Sequence, residues 1–177
     1  MRLLILVITI IIFGAGEAQT QVLSFDHGKV EFHTSNIMSD IEAESKVIDA
    51  RLDIQTGQVD ISIPISSFEF EYEMMQDHFN EEYLESEKYP KASFKGQITQ
   101  DITAIETIGE VNITGDLSIH GVTKAISFTA TLSQQDGFTR VKCVFPIVFK
   151  DFNVEEPSIL SKAIAKDVEF KGVLYLK

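Results

Sequence analysis

The sequence has no tryptophan and only one cysteine among its 177 residues. The scarcity of cysteine excludes a disulfide-stapled or zinc-stabilised fold. A single thiol cannot form an internal disulfide, and no cysteine-histidine cluster is present for a structural zinc ion. A hydrophobic core must therefore hold the fold together, and a chain of about 150 residues buries enough surface to do so. One domain is the expected organisation at this length.

Basic residues are also scarce. The chain has 15 Lys and Arg against 27 Asp and Glu, so its formal net charge is −12. This balance excludes sequence-independent nucleic-acid binding, which needs a basic face, and it disfavours docking on an anionic membrane. A hydrophobic fraction of 44% with 13 Phe excludes a disordered chain.

Long apolar runs are absent except near the start of the chain. The run from Leu3 to Phe13 is much shorter than the roughly 20 apolar residues that span a bilayer. Arg2 precedes it and small residues follow at 14–18, a pattern typical of a cleaved secretory signal peptide. We therefore predict a signal peptide at 1–18, a single folded domain at 19–177, and a periplasmic or secreted location without stable membrane insertion.

Eight segments with alternating apolar and polar residues organise the rest of the chain. In the most regular one, Val111, Ile113, Leu117 and Ile119 share one face, which is typical of a strand with one dry side. Short glycine-containing links between neighbouring segments predict hairpins. The eight segments lie at 29–33, 47–54, 58–65, 92–99, 110–120, 123–132, 140–150 and 168–176.

Eight such strands are compatible with a two-sheet sandwich or a closed barrel, and three features favour the barrel. The strands are longer than the usual five or six residues. Gly96, Gly115 and Gly172 fall on the inward side, where a strongly curved wall favours residues without side chains. Closure also removes exposed edges. The predicted fold class is all-β: an eight-stranded antiparallel up-and-down barrel in which the first strand pairs with the last.

Two long loops interrupt the alternation, and each predicts a short helix. Within 73–87, Met75, Phe79 and Tyr83 recur every fourth residue and form one apolar stripe on an acidic helix. A second apolar cluster at 157–164 predicts another short helix. Long structured loops at the mouth of a barrel often carry function. We expect the first helix to cover one mouth.

Catalytic patterns are missing from the sequence. The four histidines stand singly, without an HExxH motif or an i, i+4 pair, at positions His27, His33, His78 and His120. Cys143 has inward parity between apolar neighbours, as a buried inert thiol would. We predict that the protein is not an enzyme and has neither catalytic residues nor a metal site.

The interior of an eight-stranded barrel is either filled by side chains or holds one small ligand. The inward residue types do not distinguish a filled core from a ligand cavity. They mix large and small side chains, which fits a channel or tight interdigitation equally well. They include no charge, so a ligand would be held by burial, at about 25 cal/mol per Å² of apolar surface.

Three segments carry a resemblance to a known family. Residues 77–95, which include Glu87-Lys88-Tyr89-Pro90, resemble the D-x-H-L … F-F-D-V-E-K-Y-P-x-I-x-F segment of the YceI-like family. Residues 115–124 resemble its G-x-L-T-I-x-G-V-T-K hairpin, and residues 149–153 resemble its R-x-D-F-G segment. The three motifs occur in the family's order, within residues 77–153.

The resemblance implies an exported lipocalin-like barrel that holds a polyisoprenoid or similar long apolar lipid as a carrier or store, without chemistry. No cofactor is implied beyond that lipid. The expected ligand contacts are Phe32, Phe94, Ile98, Ile113, Gly115, Leu117, Phe128, Phe145, Ile147, Phe149 and Phe170 in the lumen, and Met75, Phe79 and Tyr83 on the helix.

Two other functions stay open at this stage. One is a filled-core barrel that acts as an envelope binding or interaction module through its loops. The other is a calycin-like isomerase or cyclase that uses the pocket as a reaction vessel. The expected partners are an apolar lipid and, as an open alternative, a second copy of the chain in a homodimer.

The signal-peptide prediction can be tested directly on protein from the native host. N-terminal analysis of the envelope fraction should give a mature chain that starts at Gln19 or close to it. Recovery of a membrane-bound form that retains Met1 would contradict the prediction.

Overall fold

The computed structural model describes residues 21–35, 40–103, 109–154 and 168–177. The predicted signal peptide at 1–18 and the predicted second helix at 157–164 lie outside these residues. Within them the chain forms ten strands: β1 (Val22–Ser35), β2 (Asp40–Ser45), β3 (Asp49–Asp53), β4 (Gln58–Pro64), β5 (Glu69–Phe70), β6 (Lys91–Ile98), β7 (Glu110–Ile119), β8 (Val122–Gln135), β9 (Phe138–Ile147) and β10 (Val168–Leu176).

The strands form a closed antiparallel barrel, as predicted. Neighbours pair in the order β10-β9-β8-β7-β6-β4-β3-β1, and β10 also pairs with β1. The predicted pairing of the first and last strands is therefore confirmed. Eight wall positions result, because β2 and β3 together occupy one of them: β3 pairs with Val22–Ser24 and β2 with Val30–Ser35 of the same long strand.

The short strands β2 and β5 were not predicted. β5 pairs with β2 through only two residue pairs, Ala43 with Phe70 and Glu44 with Glu69. β5 has only two residues, and in β2 only Ile41 and the small Ala43 mark an apolar face, so neither gives a clear alternation. They extend the sheet beside the end of β1.

The predicted helix at 73–87 is shorter than expected. α1 covers Glu73–His78, and a π-helical turn continues it over Phe79–Tyr83. Leu84 donates its backbone N–H to the Phe79 carbonyl across the wider turn, at 2.9 Å. Glu85 follows with a left-handed φ of 43°, which ends the helix. Residues 73–83 are called the lid below.

The two ends of the barrel differ in packing. At the end where β1 begins and β10 finishes, called the closed end, Leu132 is 0% exposed, Ile102 1% and Val111 2%. The backbone N–H of Leu132 donates to the Gly109 carbonyl at 2.9 Å, which ties β8 to the loop before β7. Each such side chain contributes about 1.5–3 kcal/mol by its burial. The closed end is therefore a solid hydrophobic core.

A pair of inward-facing glycines makes room for an aromatic ring. Gly96 on β6 pairs directly with Gly115 on β7. A Cβ at Gly96 would lie 2.5 Å from the Phe94 ring, and one at Gly115 would lie 2.8 Å from its Cζ atom and would overlap the Lys95 carbonyl oxygen. The Phe94 ring thus lies along the wall over both glycines. A side chain at either position would displace it.

We predict that Gly115→Ala destabilises the fold, because the added methyl group collides with rigid backbone and with Phe94. Overpacking of this kind costs about 1–3 kcal/mol. Urea unfolding gives the measurement. Gly109→Ala is the matched control, since a Cβ there meets nothing within 4 Å. The two variants losing equal stability would contradict the close-approach explanation.

Candidate functional site

An apolar cavity of about 100 Å³ lies inside the barrel, mainly in the half opposite the closed end, and reaches Leu174 on β10. Side chains from β1, β4 and β6 to β10 converge on it together with Phe79 and Leu84 of the lid region. None of the lining residues that the structure describes is charged, and aliphatic and aromatic groups dominate the walls. Such a site can recognise a ligand by shape and burial but not by an ion pair.

A row of phenylalanine rings crosses the cavity wall. The centroids of Phe94 and Phe128 are 5.5 Å apart, those of Phe128 and Phe145 are 4.3 Å apart, and those of Phe145 and Phe170 are 5.0 Å apart. Phe94 is buried, whereas the other three rings are only half-buried. Their faces are therefore incompletely packed, which leaves them freer to change rotamer than the side chains at the closed end.

The lid packs onto the opposite end of the barrel, and Phe79 makes its contacts with the cavity. Phe79 is 6% exposed and lines the cavity. Its ring centroid lies 5.2 Å from that of Phe32, 4.9 Å from Phe70 and 5.9 Å from Phe68. Aromatic pairs at these separations attract beyond the burial of their area. The end of the barrel under the lid is called the lid end.

A polar contact fixes the chain just after the lid. His120, in the turn between β7 and β8, has an 11% exposed side chain, and its Nε2 lies 2.7 Å from Oε2 of Glu85. Because a carboxylate only accepts, His120 donates this hydrogen bond, which lowers the pKa of Glu85. Tyr89 packs edge-on against the imidazole at 4.4 Å. The Glu85–His120 contact thus anchors the lid to the β7–β8 hairpin.

The structure brings together nine of the fourteen residues expected from the sequence to contact a ligand. These cavity-lining residues are Phe32, Phe79, Phe94, Leu117, Phe128, Phe145, Ile147, Phe149 and Phe170. Phe149 lies in a 3-10 turn, Phe149–Phe152, instead of on a strand. Contact of these side chains with a lipid stays a prediction.

The structure places the other five expected residues away from the cavity wall. Ile98 and Ile113 pair with each other in the packed region towards the closed end. Gly115 lies beneath the Phe94 ring, Tyr83 at the end of the lid is buried, and Met75 is half-buried beside an outer groove. Alternation shows which side chains face the inside of the barrel, but it does not show whether they lie in the cavity half or in the packed half.

Several cavity residues were missed as ligand contacts. Phe68 and Leu84 lie in the connection between β4 and β6, where no alternation marks the inward side. Cys143 also lines the cavity, and burial raises the pKa of its thiol to about 11. The thiol is therefore protonated at neutral pH, which agrees with the inert role expected for it.

A second concavity of about 380 Å³ lies on the outer surface beside the lid and is acidic. Lys29 bridges Glu31 at 2.6 Å and Glu44 at 2.8 Å, and hydrogen bonds from Lys29 and Lys46 lower the pKa of Glu44 to about 2. These pairs are part of a solvated, charged face. In the described part of the chain, no group of three or more His, Cys, Asp or Glu side chains is arranged to hold a metal ion.

Within the described ranges, none of the helices is both long enough and apolar enough to cross a lipid bilayer.

Comparisons with known sequences point to one family. A profile described as the YceI-like domain matches residues 20–175. A UPF0312 protein of Pseudomonas putida strain W619 is 30% identical over 103 residues, covering 52% of this chain and 49% of the relative. A UPF0312 protein of Pseudomonas savastanoi pv. phaseolicola is 27% identical over 128 residues, covering 67% and 64%. The chain spans about half the length of the first relative.

Solved structures share the fold. BcnA of Burkholderia cenocepacia superposes with a TM-score of 0.74 at 22% identity, covering 84% of this chain and 95% of that one. A polyisoprenoid binding domain from Saccharophagus degradans, implicated in plant cell wall breakdown, gives a TM-score of 0.74 at 16% identity, covering 88% and 97%. At these identities the similarity establishes the architecture alone.

The Glu85–His120 contact predicts a loss of stability in acid. Because the folded state lowers the pKa of Glu85 from its ordinary 4.5, the contact stabilises fully above 4.5 and is lost as the pH falls through the lowered value. Glu85→Gln should therefore melt below the wild type at neutral pH and match it well below pH 4.5. Glu87→Gln, which removes the same charge from an exposed neighbour, is the control. A gap in Tm that persisted in acid would refute this account.

Proposed function

The chain belongs to the YceI-like domain family, and on that basis we propose that it is a lipid-binding barrel. It would hold a polyisoprenoid or similar apolar chain in the cavity under the lid and carry out no chemistry on it. We also propose that it acts in the periplasm or outside the cell, since the sequence begins with a signal-like apolar run from Leu3 to Phe13.

One observation supports the proposal most strongly: the cavity lies inside a closed barrel, is bounded by apolar groups and is covered by a lid. Water gains few hydrogen bonds in such a space, so an apolar chain is the ligand it favours. Burial of that chain provides about 25 cal/mol per Å² of apolar surface. The Saccharophagus degradans domain, which has the same architecture, is a polyisoprenoid binding domain.

The cavity is too small to admit a lipid unless side chains move. About 100 Å³ is smaller than the roughly 150 Å³ of an engineered cavity that accepts benzene. A lipid therefore needs ring movement, and the half-buried Phe128, Phe145 and Phe170 are the side chains placed to move. Entry from the lid end would also require Phe79 to leave its contacts with Phe32 and Phe68.

The single cysteine gives a direct test of ligand binding. Cys143 lines the cavity, so a bound lipid should shield its thiol from a small neutral alkylating reagent. We expect saturating farnesol to slow N-ethylmaleimide modification of the native protein by at least about tenfold, as for a ligand in excess over its Kd. Mass spectrometry of the intact protein follows the reaction.

The control for this test is a thiol outside the barrel. Ser127→Cys combined with Cys143→Ser places the thiol on the exposed face of β8, and its reaction rate should not change with farnesol. Equal protection of both thiols would indicate coating by lipid aggregates. An unprotected Cys143 would argue against the lipid-binding proposal and support the filled-core module.

The lid should control the release of a bound lipid. Phe79→Ala removes contacts with three aromatic rings, each worth about 0.5–1.5 kcal/mol. Release of a fluorescent isoprenoid analogue should become several-fold faster, as stopped-flow fluorescence would show. Phe152→Ala removes an equally buried ring that does not line the cavity, so it should lower Tm without changing the release rate. Unchanged release from Phe79→Ala would contradict the gating role.

A further inference from the structure

The cavity does not extend through the barrel but ends on a packed layer. Leu132, Ile113 and Ile98 point inward, are at most 4% exposed and do not line the cavity. These three side chains are called the floor. On β9 the cavity reaches Cys143 but not Val141, which pairs with Leu132, and on β10 it reaches Leu174.

The side chains of the cavity wall can move to enlarge the cavity more easily than those of the floor. The wall contains the half-buried rings Phe128, Phe145 and Phe170, which can rotate into neighbouring space. The floor is fully packed and is continuous with Val111 and the rest of the closed end, so enlarging it means losing core contacts. A ligand can therefore widen the cavity by moving these rings. Deepening the cavity would cost more free energy, because the floor would lose core contacts.

The register of β7 gives the depth of the accessible half. Ile119 lines the cavity near the lid end, and Ile113 belongs to the floor six residues earlier on the same strand. At about 3.3 Å per residue this is roughly 20 Å along the strand. With the usual tilt of 35–45°, about 15 Å remain along the barrel axis.

We propose that the floor limits the length of hydrocarbon that the barrel can bury. A carbon–carbon bond of about 1.5 Å advances an extended chain by roughly 1.2 Å, so a depth of about 15 Å holds about twelve chain carbons, or about three isoprene units. The ligand enters by its apolar end, and any remaining units and its polar end stay outside, beside the lid. This inference rests on the proposed lipid-binding function and specifies its substrate class.

A homologous series of prenyl alcohols tests the limit. Geraniol, farnesol, geranylgeraniol and a solanesol-length alcohol, each kept below its aggregation threshold, compete with a fluorescent farnesyl analogue for the native protein. Affinity should rise at least about tenfold from two to three isoprene units and then stay level, because further units add no buried surface. An affinity that climbs through the whole series would refute the limit and leave lipid binding intact.

Variants on the two sides of the floor should move the limit in opposite directions. Leu132→Ala removes a floor side chain and should shift the level region to a chain at least one unit longer. Cys143→Leu fills the deepest part of the cavity on β9 and should shift the limit to a shorter chain. Leu132→Val, a smaller deletion, is the substitute if Leu132→Ala does not fold. Ile102→Ala truncates an equally buried closed-end residue that does not border the cavity and should leave the limit unchanged.

The outcomes separate the two proposals. If no alcohol of any length displaces the analogue and Cys143 stays unprotected, the lipid-binding function itself fails. If all lengths bind but neither Leu132→Val nor Cys143→Leu changes the preferred length, the floor does not set it. A shift produced by Ile102→Ala as strongly as by Leu132→Ala would likewise overturn the assignment.

Discussion

The pairing of β1 with β10 is the constraint on which the rest of the structure depends. It joins Phe25–His33 to Glu169–Leu176 through a continuous register with one irregularity after Phe25. Gly28, with a φ of 135°, allows the close approach at this seam, because a Cβ there would overlap the Val173 carbonyl oxygen. Closure satisfies the backbone groups of both edge strands and defines an inside. Without it the inward apolar faces would be exposed.

A closed barrel still has two ends, and this chain uses them differently. Towards the closed end, side chains such as Leu132 and Ile113 fill the lumen completely. At the lid end the long connection between β4 and β6 supplies Phe68 and Phe79, which cover the space without filling it. One half of the barrel thus provides stability, and the other provides room for a ligand. The packed half also gives the cavity a rigid boundary.

Polar interactions act around the cavity instead of within it. None of the described residues that line the cavity is charged, so a ligand there would be recognised by length and shape. The Glu85–His120 hydrogen bond lies outside and fixes the segment that follows the lid. The cavity is therefore lined by apolar groups, while the titratable Glu85–His120 contact outside it holds the lid in place. The position of the lid then depends on both the aromatic contacts of Phe79 and this external anchor.

The sequence by itself determined the eight wall segments and their inward sides, because alternation with a period of two reports directly which side of a strand is dry. It also determined most of the rings that line the cavity, such as Phe94, Phe128 and Phe145, which share inward parity with their neighbours. The short strand β2 escaped detection because only Ile41 and the small Ala43 mark its buried face.

Only the tertiary structure decided where along the barrel axis the space lies. Parity gives the same inward assignment to Ile113 and Leu117, yet the former belongs to the floor and the latter lines the cavity. The difference depends on which side chains arrive at the same height from other strands, and strand tilt and stagger set that height. The contact of Glu85 with His120, 35 positions apart, likewise required the folded chain, because no local pattern relates a loop to a distant hairpin.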